Sequence, residues 1–362
     1  MYKKFIISGG GTGGHIFPAI AIANELKRID PHSDILFIGA KGRMEMQKVP
    51  EAGYKIKGLW ISGLQRKISY KNLLLPVKWV YSVYASLRII KTYKPDVVVG
   101  VGGYASAAIV FAASIKGIPI LLQEQNSFAG LTNKWLSKKA NKICVAYPEM
   151  EKFFPSHKIV YTGNPIRQDL IEKAIDKKEA KHRLGLDTSK SLLFVTGGSL
   201  GAKMLNESVV KNLELLKENN IQLIWQTGSF YFNQYKTMGG EAVLVQEFVK
   251  NMDLVYSAAD LILCRAGALT ISEICALGKA SVLVPSPYVA EDHQTHNALS
   301  LANRDAAILI KDQNAIQEAV PKCVELLSNM EQREKLGRNA LALGRPNAAH
   351  EIASEIIKLV KS

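Results

Sequence analysis

The 362-residue chain has few cysteines and no stretch that would keep it from folding. Its four cysteines include no pair at CxxC spacing, which argues against a zinc framework or a disulfide scaffold. Aromatic residues make up only 8% of the chain, but 48% of residues are hydrophobic and 22% are charged. We therefore expect a globular protein, long enough for two domains that each bury a core.

The sequence also lacks a segment typical of export or of membrane insertion. Its first apolar run, residues 5–7, is too short for the central region of a signal peptide. Residues 97–115 carry no charge over a length that could span a bilayer. Their valines, glycines and alanine-rich end are instead typical of a buried strand, a turn and a buried helix. We expect a cytoplasmic protein.

Acidic residues are outnumbered, since 46 lysines and arginines face 32 aspartates and glutamates and leave a net charge of +14. Such an excess favours nucleic acid, acidic lipid or a phosphorylated substrate as partner. Basic residues concentrate within residues 66–94, where apolar residues such as Trp79 separate them. That mixture favours a membrane surface over nucleic acid. The basic residues are Arg66, Lys67, Lys71, Lys78, Arg88, Lys91 and Lys94.

Short apolar runs alternate with helical periodicity in both halves of the chain, which predicts two doubly wound parallel-sheet α/β domains. Turn residues at 163–165 mark the expected linker. Predicted strands are residues 5–8, 35–38, 97–101, 118–123, 142–146 and 159–162, then 192–196, 221–226, 242–245, 261–264 and 281–284. The clearest predicted helices are residues 18–29, 76–93, 202–218 and 268–277.

Each half opens with an apolar strand that runs into glycines: GGGTGG at residues 9–14 and GGSLG at residues 197–201. Glycines let backbone N–H groups approach an anion closely, so both loops are candidate phosphate sites. Gly9, Gly11 and Gly14 also match GxGxxG, the dinucleotide fingerprint. The predicted second strand, however, is followed by residues 39–43 without the acidic residue that would bind the ribose.

Polar side chains near these loops are candidates for chemistry. His15 heads a helix whose positive end lowers an imidazole pKa, so it is a candidate general base or a ligand contact. Glu124, Gln125 and Asn126 come at the end of a predicted strand and add a carboxylate and two amides at the same sheet edge.

The second half offers its own candidates. Thr270 and Glu273 share a helix face; Glu273 is a candidate ribose ligand or a carboxylate that complements the helix dipole. Gln294 carries an amide suited to sugar hydroxyls. His293 and His296 lack a third ligand at metal spacing, so we expect no metal site.

Together these features resemble the family of UDP-N-acetylglucosamine transferases that glycosylate the lipid-linked peptidoglycan precursor. The resemblance covers essentially the whole chain. It rests on GGGTGGH at 9–15, GGY at 102–104, EQN at 124–126, GLTN at 130–133, GNPIR at 163–167, GGSLGA at 197–202 and RAGALT at 265–270.

The resemblance implies a GT-B architecture, with two Rossmann-like domains facing one cleft. Residues 1–163 with a final helix at 345–362 would face acceptor and membrane, and residues 164–344 would hold UDP-GlcNAc. It implies Ser199, Ala268, Leu269 and Thr270 at the diphosphate, Glu273 at the ribose, and Arg167 with the Phe248 backbone at the uracil. It further implies Thr12, Gly13, Gly14, Asn126 and Gln294 at the N-acetylglucosamine. Some relatives have paired glutamines where this chain has His293-Gln294, so either side chain remains a candidate reader of the sugar.

The implied reaction is inverting transfer of N-acetylglucosamine to the 4-hydroxyl of undecaprenyl-diphosphate-linked N-acetylmuramoyl-pentapeptide, without cofactor or metal. His15 is the first candidate base and Glu124 the second. The protein would sit peripherally on the anionic cytoplasmic face of the bacterial inner membrane, through residues 66–94 with Lys134, Trp135, Lys138 and Lys139. Alternatives are another UDP-sugar transferase or a UDP-GlcNAc 2-epimerase of the same architecture, a nicotinamide-dependent oxidoreductase, and a non-catalytic nucleic-acid or membrane binder.

Overall fold

The computed structural model describes residues 2–63 and 74–360. The chain forms two compact units, of which the first comprises Met1–Ile166 with Asn347–Ser362 and the second comprises Arg167–Pro346. The chain therefore leaves the first unit after residue 166, against 163 expected, and returns after residue 346, against 344 expected.

The first unit contains a seven-stranded parallel sheet in the order β3-β2-β1-β4-β5-β6-β7, so the order reverses between β1 and β4. The strands are β1 (Lys4–Ser8), β2 (Asp34–Ala40), β3 (Lys55–Leu59), β4 (Val97–Gly100), β5 (Ile120–Glu124), β6 (Lys142–Val145) and β7 (Ile159–Tyr161). The helices are α1 (Gly13–Ile29), α2 (Glu45–Glu51), α3 (Leu75–Tyr93), α4 (Tyr104–Ile115) and α5 (Leu131–Leu136), with α16 (Ala348–Lys358) at the end of the chain.

The second unit repeats the scheme with six parallel strands in the order β10-β9-β8-β11-β12-β13, which reverses between β8 and β11. The strands are β8 (Leu192–Thr196), β9 (Gln222–Gln226), β10 (Val243–Gln246), β11 (Leu261–Cys264), β12 (Ser281–Leu283) and β13 (Ile308–Leu309). The helices are α6 (Asp169–Glu172), α7 (Lys177–Arg183), α8 (Lys203–Lys211), α9 (Leu213–Glu218), α10 (Phe232–Tyr235), α11 (Met252–Ala258), α12 (Ala268–Ala276), α13 (His293–Ala302), α14 (Ala315–Ser328) and α15 (Met330–Leu343).

Apolar layers cover both faces of each sheet. In β1, Phe5 and Ile7 belong to one buried cluster and Ile6 to another, because successive side chains of a strand point to opposite faces. Ile352 and Ile356 of α16 are fully buried in the same cluster as Phe5 and Ile7. The last helix is thus part of the hydrophobic core of the first unit.

Two predictions about helices were wrong in detail, and two strands were missed. Helix α1 begins at Gly13 rather than at residue 18, because the glycine loop turns directly into the helix. The helix expected at residues 202–218 is interrupted at Asn212, whose amide donates to the Ser208 carbonyl at 2.8 Å and competes with the helical bonding. Strands β3 and β13 were not predicted at all.

The uncharged stretch 97–115 forms β4, a turn and α4, as its glycines indicate. Within residues 2–63 and 74–360, no helix has both the length and the apolar content needed to cross a membrane.

Candidate functional site

Both glycine loops lie where the strand order of their sheet reverses. Residues 9–12 connect β1 to α1, and residues 197–202 connect β8 to α8. In open parallel sheets, ligands bind beyond the carboxyl ends of the strands at this reversal point. Each unit therefore presents backbone amides and a helix N-terminus at the position expected for an anionic ligand.

The loop of the second unit borders a cavity of about 730 Å³. At Gly201 the backbone has φ +89°, and an added Cβ would lie 2.1 Å from the Thr227 carbonyl oxygen, so this turn accepts only glycine. Ser199 and Thr270, both predicted diphosphate ligands, line the same cavity. The lining also includes Arg265, Gly267, Ser286, Gln294 and Asp312.

Helix α12 begins at this cavity. Gly267 is its N-cap, and Ala268, Leu269 and Thr270 form its first turn, whose N–H groups have no acceptor within the helix. The positive end of a helix favours an anion at this position. The three predicted diphosphate residues of this motif thus share one helix terminus beside the glycine loop.

Gln294 lies in the cavity lining with its orientation fixed. Its Oε1 accepts a hydrogen bond from the Ser286 N–H at 2.8 Å, and a backbone N–H can only donate. The Nε2 end of the amide is therefore the end that can donate to a ligand hydroxyl. Among the described residues, His293 does not line the cavity, which favours Gln294 as the reader of a sugar.

Glu273 and Arg167, the predicted ribose and uracil residues, lie next to each other. Arg167 Nη2 is 3.7 Å from Glu273 Oε1, and Glu273 Oε2 accepts from the Tyr256 hydroxyl at 2.8 Å. Burial raises the pKa of Glu273, although the Arg167 charge and the Tyr256 hydrogen bond oppose the shift. The α12 carboxylate is thus held between the Arg167 guanidinium and the Tyr256 hydroxyl.

Sequence reasoning missed Gln226, which connects the glycine loop to the predicted uracil segment. Its Nε2 donates to Thr196 Oγ1 at 2.9 Å and to the Gly198 carbonyl at 3.1 Å, and its Oε1 accepts from the Val249 N–H at 2.9 Å. Val249 follows Phe248, whose ring is 52% exposed. The signal available in the sequence was the position of Gln226 as the polar last residue of a predicted apolar strand, residues 221–226.

Arg265 and Asp312 were also not assigned a role from the sequence. Arg265 Nη1 donates to the carbonyls of Val284 and Pro285 at 3.0 and 3.2 Å and to the Asp312 carboxylate. These bonds fix the backbone that follows β12 and that leads to Ser286. The arginine therefore shapes the cavity wall.

In the first unit, His15 lies in the first turn of α1. Its Nδ1 is 3.0 Å from the Val101 carbonyl oxygen and 2.9 Å from Gln125 Oε1. Gly102 has φ +90°, and an added Cβ there would lie 3.0 Å from the imidazole ring. The ring is thus held between the segment that follows β4 and the segment that follows β5.

Glu124, the second candidate base, is 1% exposed, and its carboxylate accepts four hydrogen bonds. Oε1 accepts from the backbone N–H and the side-chain amide of Asn126 at 3.1 and 3.4 Å. Oε2 accepts from the Gly130 N–H at 3.1 Å and from Asn133 Nδ2 at 2.9 Å. These contacts give Glu124 the role of an anchor for residues 126–133 and favour His15 as the base.

Thr12, Gly13 and Gly14 form the N-terminus of α1, and Thr12 and Gly14 are exposed. Asn126 is half-buried beside Glu124. The structure therefore brings the predicted residues of the first unit to the carboxyl edge of its sheet.

Sequence reasoning missed Glu45, an acidic residue that follows β2 and contacts the first glycine loop. It is fully buried, and its carboxylate accepts from the Gly11 N–H at 3.1 Å and from the Ala40 N–H at 3.0 Å. The acidic residue beyond β2 thus binds the protein's own backbone. In that position it is not presented to a ribose.

A patch of aromatic and basic side chains covers helices α3, α4 and α5 of the first unit. The Trp79 ring lies 5.5 Å from Trp135, which stacks on Phe111 at 5.4 Å, and Lys139 Nζ lies 5.1 Å above Phe111. Val80 and Tyr84 on α3 are 67% and 57% exposed. We call these residues, with Lys78, Lys134 and Lys138, the aromatic–basic patch. Arg66, Lys67 and Lys71, also predicted there, lie outside the described residues.

No group of three or more histidine, cysteine, aspartate or glutamate side chains has the geometry of a metal site in the part of the chain that the structure describes.

Family models for glycosyltransferases match both units. The glycosyltransferase family 28 N-terminal domain matches residues 5–145, and the glycosyltransferase family 28 C-terminal domain matches residues 192–354. Two doubly wound parallel sheets, each with a glycine loop at its reversal point, form the GT-B fold, and the family models identify the chain as a glycosyltransferase of this fold. The chain belongs to glycosyltransferase family 28, within the group of UDP-N-acetylglucosamine–N-acetylmuramyl-(pentapeptide) pyrophosphoryl-undecaprenol N-acetylglucosamine transferases.

Relatives with that enzyme name cover nearly the whole chain. The proteins from Cytophaga hutchinsonii and Flavobacterium psychrophilum are each 51% identical to it, over 99% of this chain and 97% and 98% of their own. The crystal structure of Acinetobacter baumannii MurG superimposes with a TM-score of 0.77 at 30% identity, over 98% of this chain and 99% of that one. A UDP-GlcNAc 2-epimerase from Neisseria meningitidis reaches a TM-score of 0.67 at 17% identity, which is likeness of fold alone.

Proposed function

We propose that this chain transfers N-acetylglucosamine from UDP-N-acetylglucosamine to the 4-hydroxyl of undecaprenyl-diphosphate-linked N-acetylmuramoyl-pentapeptide. The observation that carries the proposal is the 51% identity, over 99% of the chain, to enzymes named for this transfer. The glycine-lined cavity of the second unit supports it independently, since amides and a helix N-terminus are the groups that bind a diphosphate.

The donor binds in the second unit under this proposal. The loop at Ser199 and the first turn of α12, from Ala268 and Leu269 to Thr270, bind the diphosphate. Glu273 accepts hydrogen bonds from the ribose, and Arg167 and the Phe248 backbone contact the uracil. Gln294 donates from Nε2 to a hydroxyl of the sugar.

The reaction inverts the anomeric carbon. The acceptor oxygen forms a bond to C1 from the face opposite UDP while the bond from C1 to the diphosphate oxygen breaks. The acceptor proton passes to His15, and the diphosphate leaves with the bonding pair. Backbone amides and the α12 dipole stabilise that charge as it develops, which is the role of an oxyanion hole.

In the first unit, Thr12, Gly13, Gly14 and Asn126 are the proposed contacts of the transferred N-acetylglucosamine. Their amides and hydroxyl suit neutral sugar oxygens. His15 supplies the base from the same helix terminus.

The aromatic–basic patch is the proposed contact with the membrane. Exposed Val80 and Tyr84 provide apolar surface, and tryptophans such as Trp135 favour the interface between headgroups and acyl chains. Lysines around them attract anionic headgroups. The protein would thereby lie peripherally on the cytoplasmic face of the inner membrane.

The test is to measure UDP release with UDP-GlcNAc, in the presence and absence of a lipid-linked muramoyl-pentapeptide. We expect release only when both substrates are present. UDP-sugar interconversion without acceptor would identify an epimerase and overturn the proposal. Release with a different acceptor, but not with the muramoyl-pentapeptide, would assign the chain to another transfer.

A further inference from the structure

Gln125 lies between His15 and a chain of buried side-chain amides that the mechanism has not used. Gln123, Gln125 and Asn164 are each at most 2% exposed. Gln125 Nε2 donates to the Val101 carbonyl at 2.7 Å and to Gln123 Oε1, and Gln123 Nε2 donates to Asn164 Oδ1 at 3.0 Å. Asn164 Nδ2 donates to the Gln125 backbone carbonyl at 3.0 Å.

Backbone carbonyls at both ends of this series of hydrogen-bonded amides determine which end of each amide is oxygen and which is nitrogen, because a carbonyl oxygen can only accept. The Gln125 backbone carbonyl must accept from the amide nitrogen of Asn164, so Asn164 Oδ1 faces Gln123. The group of Gln123 that faces this oxygen must then be its donor, Nε2. The Val101 carbonyl fixes the nitrogen of Gln125. The Oε1 atom of Gln125 must then face His15, at 2.9 Å from Nδ1.

His15 Nδ1 thus contacts two oxygen atoms that can only accept, Gln125 Oε1 and the Val101 carbonyl oxygen. Nδ1 must carry the hydrogen, so in the neutral ring the lone pair is on Nε2. A general base needs its lone pair on the atom that meets the substrate proton.

We propose that Gln125 is the positioning residue that fixes His15 in its Nδ1–H tautomer, so that Nε2 is the atom that takes the acceptor proton. Gln123 and Asn164 fix Gln125 in turn. The part that concerns proton transfer rests on the proposed function, whereas the tautomer does not.

Among the described residues, two carboxylates on neighbouring segments already accept hydrogen bonds from other groups. The Glu45 carboxylate binds the Gly11 and Ala40 N–H groups, and the Glu124 carboxylate binds residues 126–133. A Cβ added at Gly11 would lie 3.2 Å from the Tyr104 ring, so this ring lies beside the glycine loop, and burial raises the pKa of its hydroxyl. Since Gln125 Oε1 lies 2.9 Å from His15 Nδ1, replacing Gln125 by a glutamate should act directly on the imidazole.

The first measurement needs no variant and no substrate. In protein labelled with ¹⁵N-histidine, two-bond ¹H–¹⁵N correlations at a pH where the ring is neutral should show His15 with a protonated Nδ1 and an unprotonated Nε2. A protonated Nε2, or averaging of the two nitrogens, would overturn the proposal.

The second measurement uses Gln125→Glu, which places a carboxylate against Nδ1–H. A carboxylate partner favours the charged imidazole, so the pKa of His15 should rise by about one unit or more in the NMR titration. The midpoint of the acidic side of the kcat–pH profile should move to higher pH by the same amount, because the base must be unprotonated to act. KM for UDP-GlcNAc should change little. If the His15 pKa rises in the NMR titration but the midpoint of the kcat–pH profile does not move, Nε2 is not the proton acceptor and the proposal is overturned.

Gln222→Glu is the matched control. Gln222 is also a buried strand glutamine, 3% exposed, with both ends of its amide bonded to the backbone of Asp187 at 2.8 Å. Because its burial and hydrogen bonding are similar to those of Gln125, its replacement should lower the free energy of unfolding by a comparable amount. Because it belongs to the second unit, the His15 titration should not change. Absence of transfer in the wild-type protein, with the tautomer as stated, would overturn the proposed function and not the hydrogen-bond assignment.

Discussion

His15 and Glu124 differ in what their side chains already bind. The Glu124 carboxylate accepts four hydrogen bonds from residues 126–133, whereas His15 Nδ1 lies against the Val101 carbonyl oxygen and Gln125 Oε1. We predict that His15→Ala lowers kcat by about a hundredfold or more, because a general base contributes a factor of this order. Turnover by steady-state UDP release, with UDP affinity as control, tests this. Near-normal turnover would remove His15 from the role.

Glu124→Gln should behave differently. The glutamine would present an NH₂ group to donors such as the Gly130 N–H, at a cost of about 1–3 kcal/mol in the free energy of unfolding. Urea unfolding of the variant measures that loss. A variant with unchanged stability but with turnover lowered about a hundredfold would instead make Glu124 the base.

Gln294 is predicted to read the sugar through its Nε2. Gln294→Glu keeps an acceptor for the Ser286 N–H but removes the donor. The added charge should weaken UDP and UDP-GlcNAc alike, whereas loss of the sugar contact should weaken UDP-GlcNAc alone by about a further tenfold. Calorimetric titration with both ligands separates these effects. His293→Ala is the control; a larger loss of sugar preference in that variant than in Gln294→Glu would contradict the assignment.

At the scale of elements, the sequence predicted the strands that are apolar throughout, and β8 and β11 have the predicted bounds. It did not predict β3, because Lys55 and Lys57 alternate with apolar residues on an edge strand with one neighbour. The break in the 202–218 helix depends on Asn212, whose amide also reaches the Ile316 carbonyl, 104 residues away. Local periodicity carries no information about such a contact.

Asp260 attaches helix α7 to the sheet of the second unit. The Asp260 carboxylate pairs with Lys177 and Lys181 of α7, each at 2.7 Å, and accepts a hydrogen bond from the N–H of Leu192 in β8 at 2.9 Å. Burial acts to raise the pKa of Asp260, but these hydrogen bonds together hold it below its ordinary value. A lowered pKa in the folded state means stability that is present at neutral pH and is lost as pH falls through that pKa.

We predict that Asp260→Asn lowers the free energy of unfolding by about 3 kcal/mol at pH 7, because Lys181 is left buried without its charge partner. The gap to wild type should narrow as pH falls below the ordinary aspartate pKa of 3.8, because the wild-type carboxylate then becomes protonated as well. Urea unfolding at pH 7 and at a series of acidic pH values measures the gap. Lys177→Met, at a 53% exposed lysine, should cost less than about 1 kcal/mol. A gap independent of pH would contradict the account.

Across the whole molecule, the sequence located the groups that gather at the reversal points of the two sheets. Repeated strand–glycine–helix patterns predict such points on general grounds. Glu45 and Gln226 could not be assigned in this way, and Gln125, although expected at this sheet edge, could be given no role. Each acts by binding backbone or side chains far along the chain, and the sequence does not show which of several buried polar residues meet.

The net charge of +14 predicts that the protein binds to anionic membranes. Replacing Lys138 and Lys139 by glutamate in the aromatic–basic patch should lower partitioning onto vesicles containing phosphatidylserine by about tenfold or more, since each lysine near a membrane surface contributes about 1 kcal/mol. Vesicle sedimentation measures this. Lys211→Glu with Lys217→Glu is the control in the second unit. Binding indifferent to anionic lipid and to both charge reversals would rule out the membrane contact.

The most direct test of the account is the identity of the product. Purified protein with UDP-GlcNAc and a lipid-linked muramoyl-pentapeptide should yield one disaccharide per UDP released, with N-acetylglucosamine joined to the muramoyl 4-oxygen in the β configuration by NMR. That result follows from attack opposite the leaving UDP. An α linkage, linkage at another oxygen, or UDP-sugar conversion without disaccharide would contradict it.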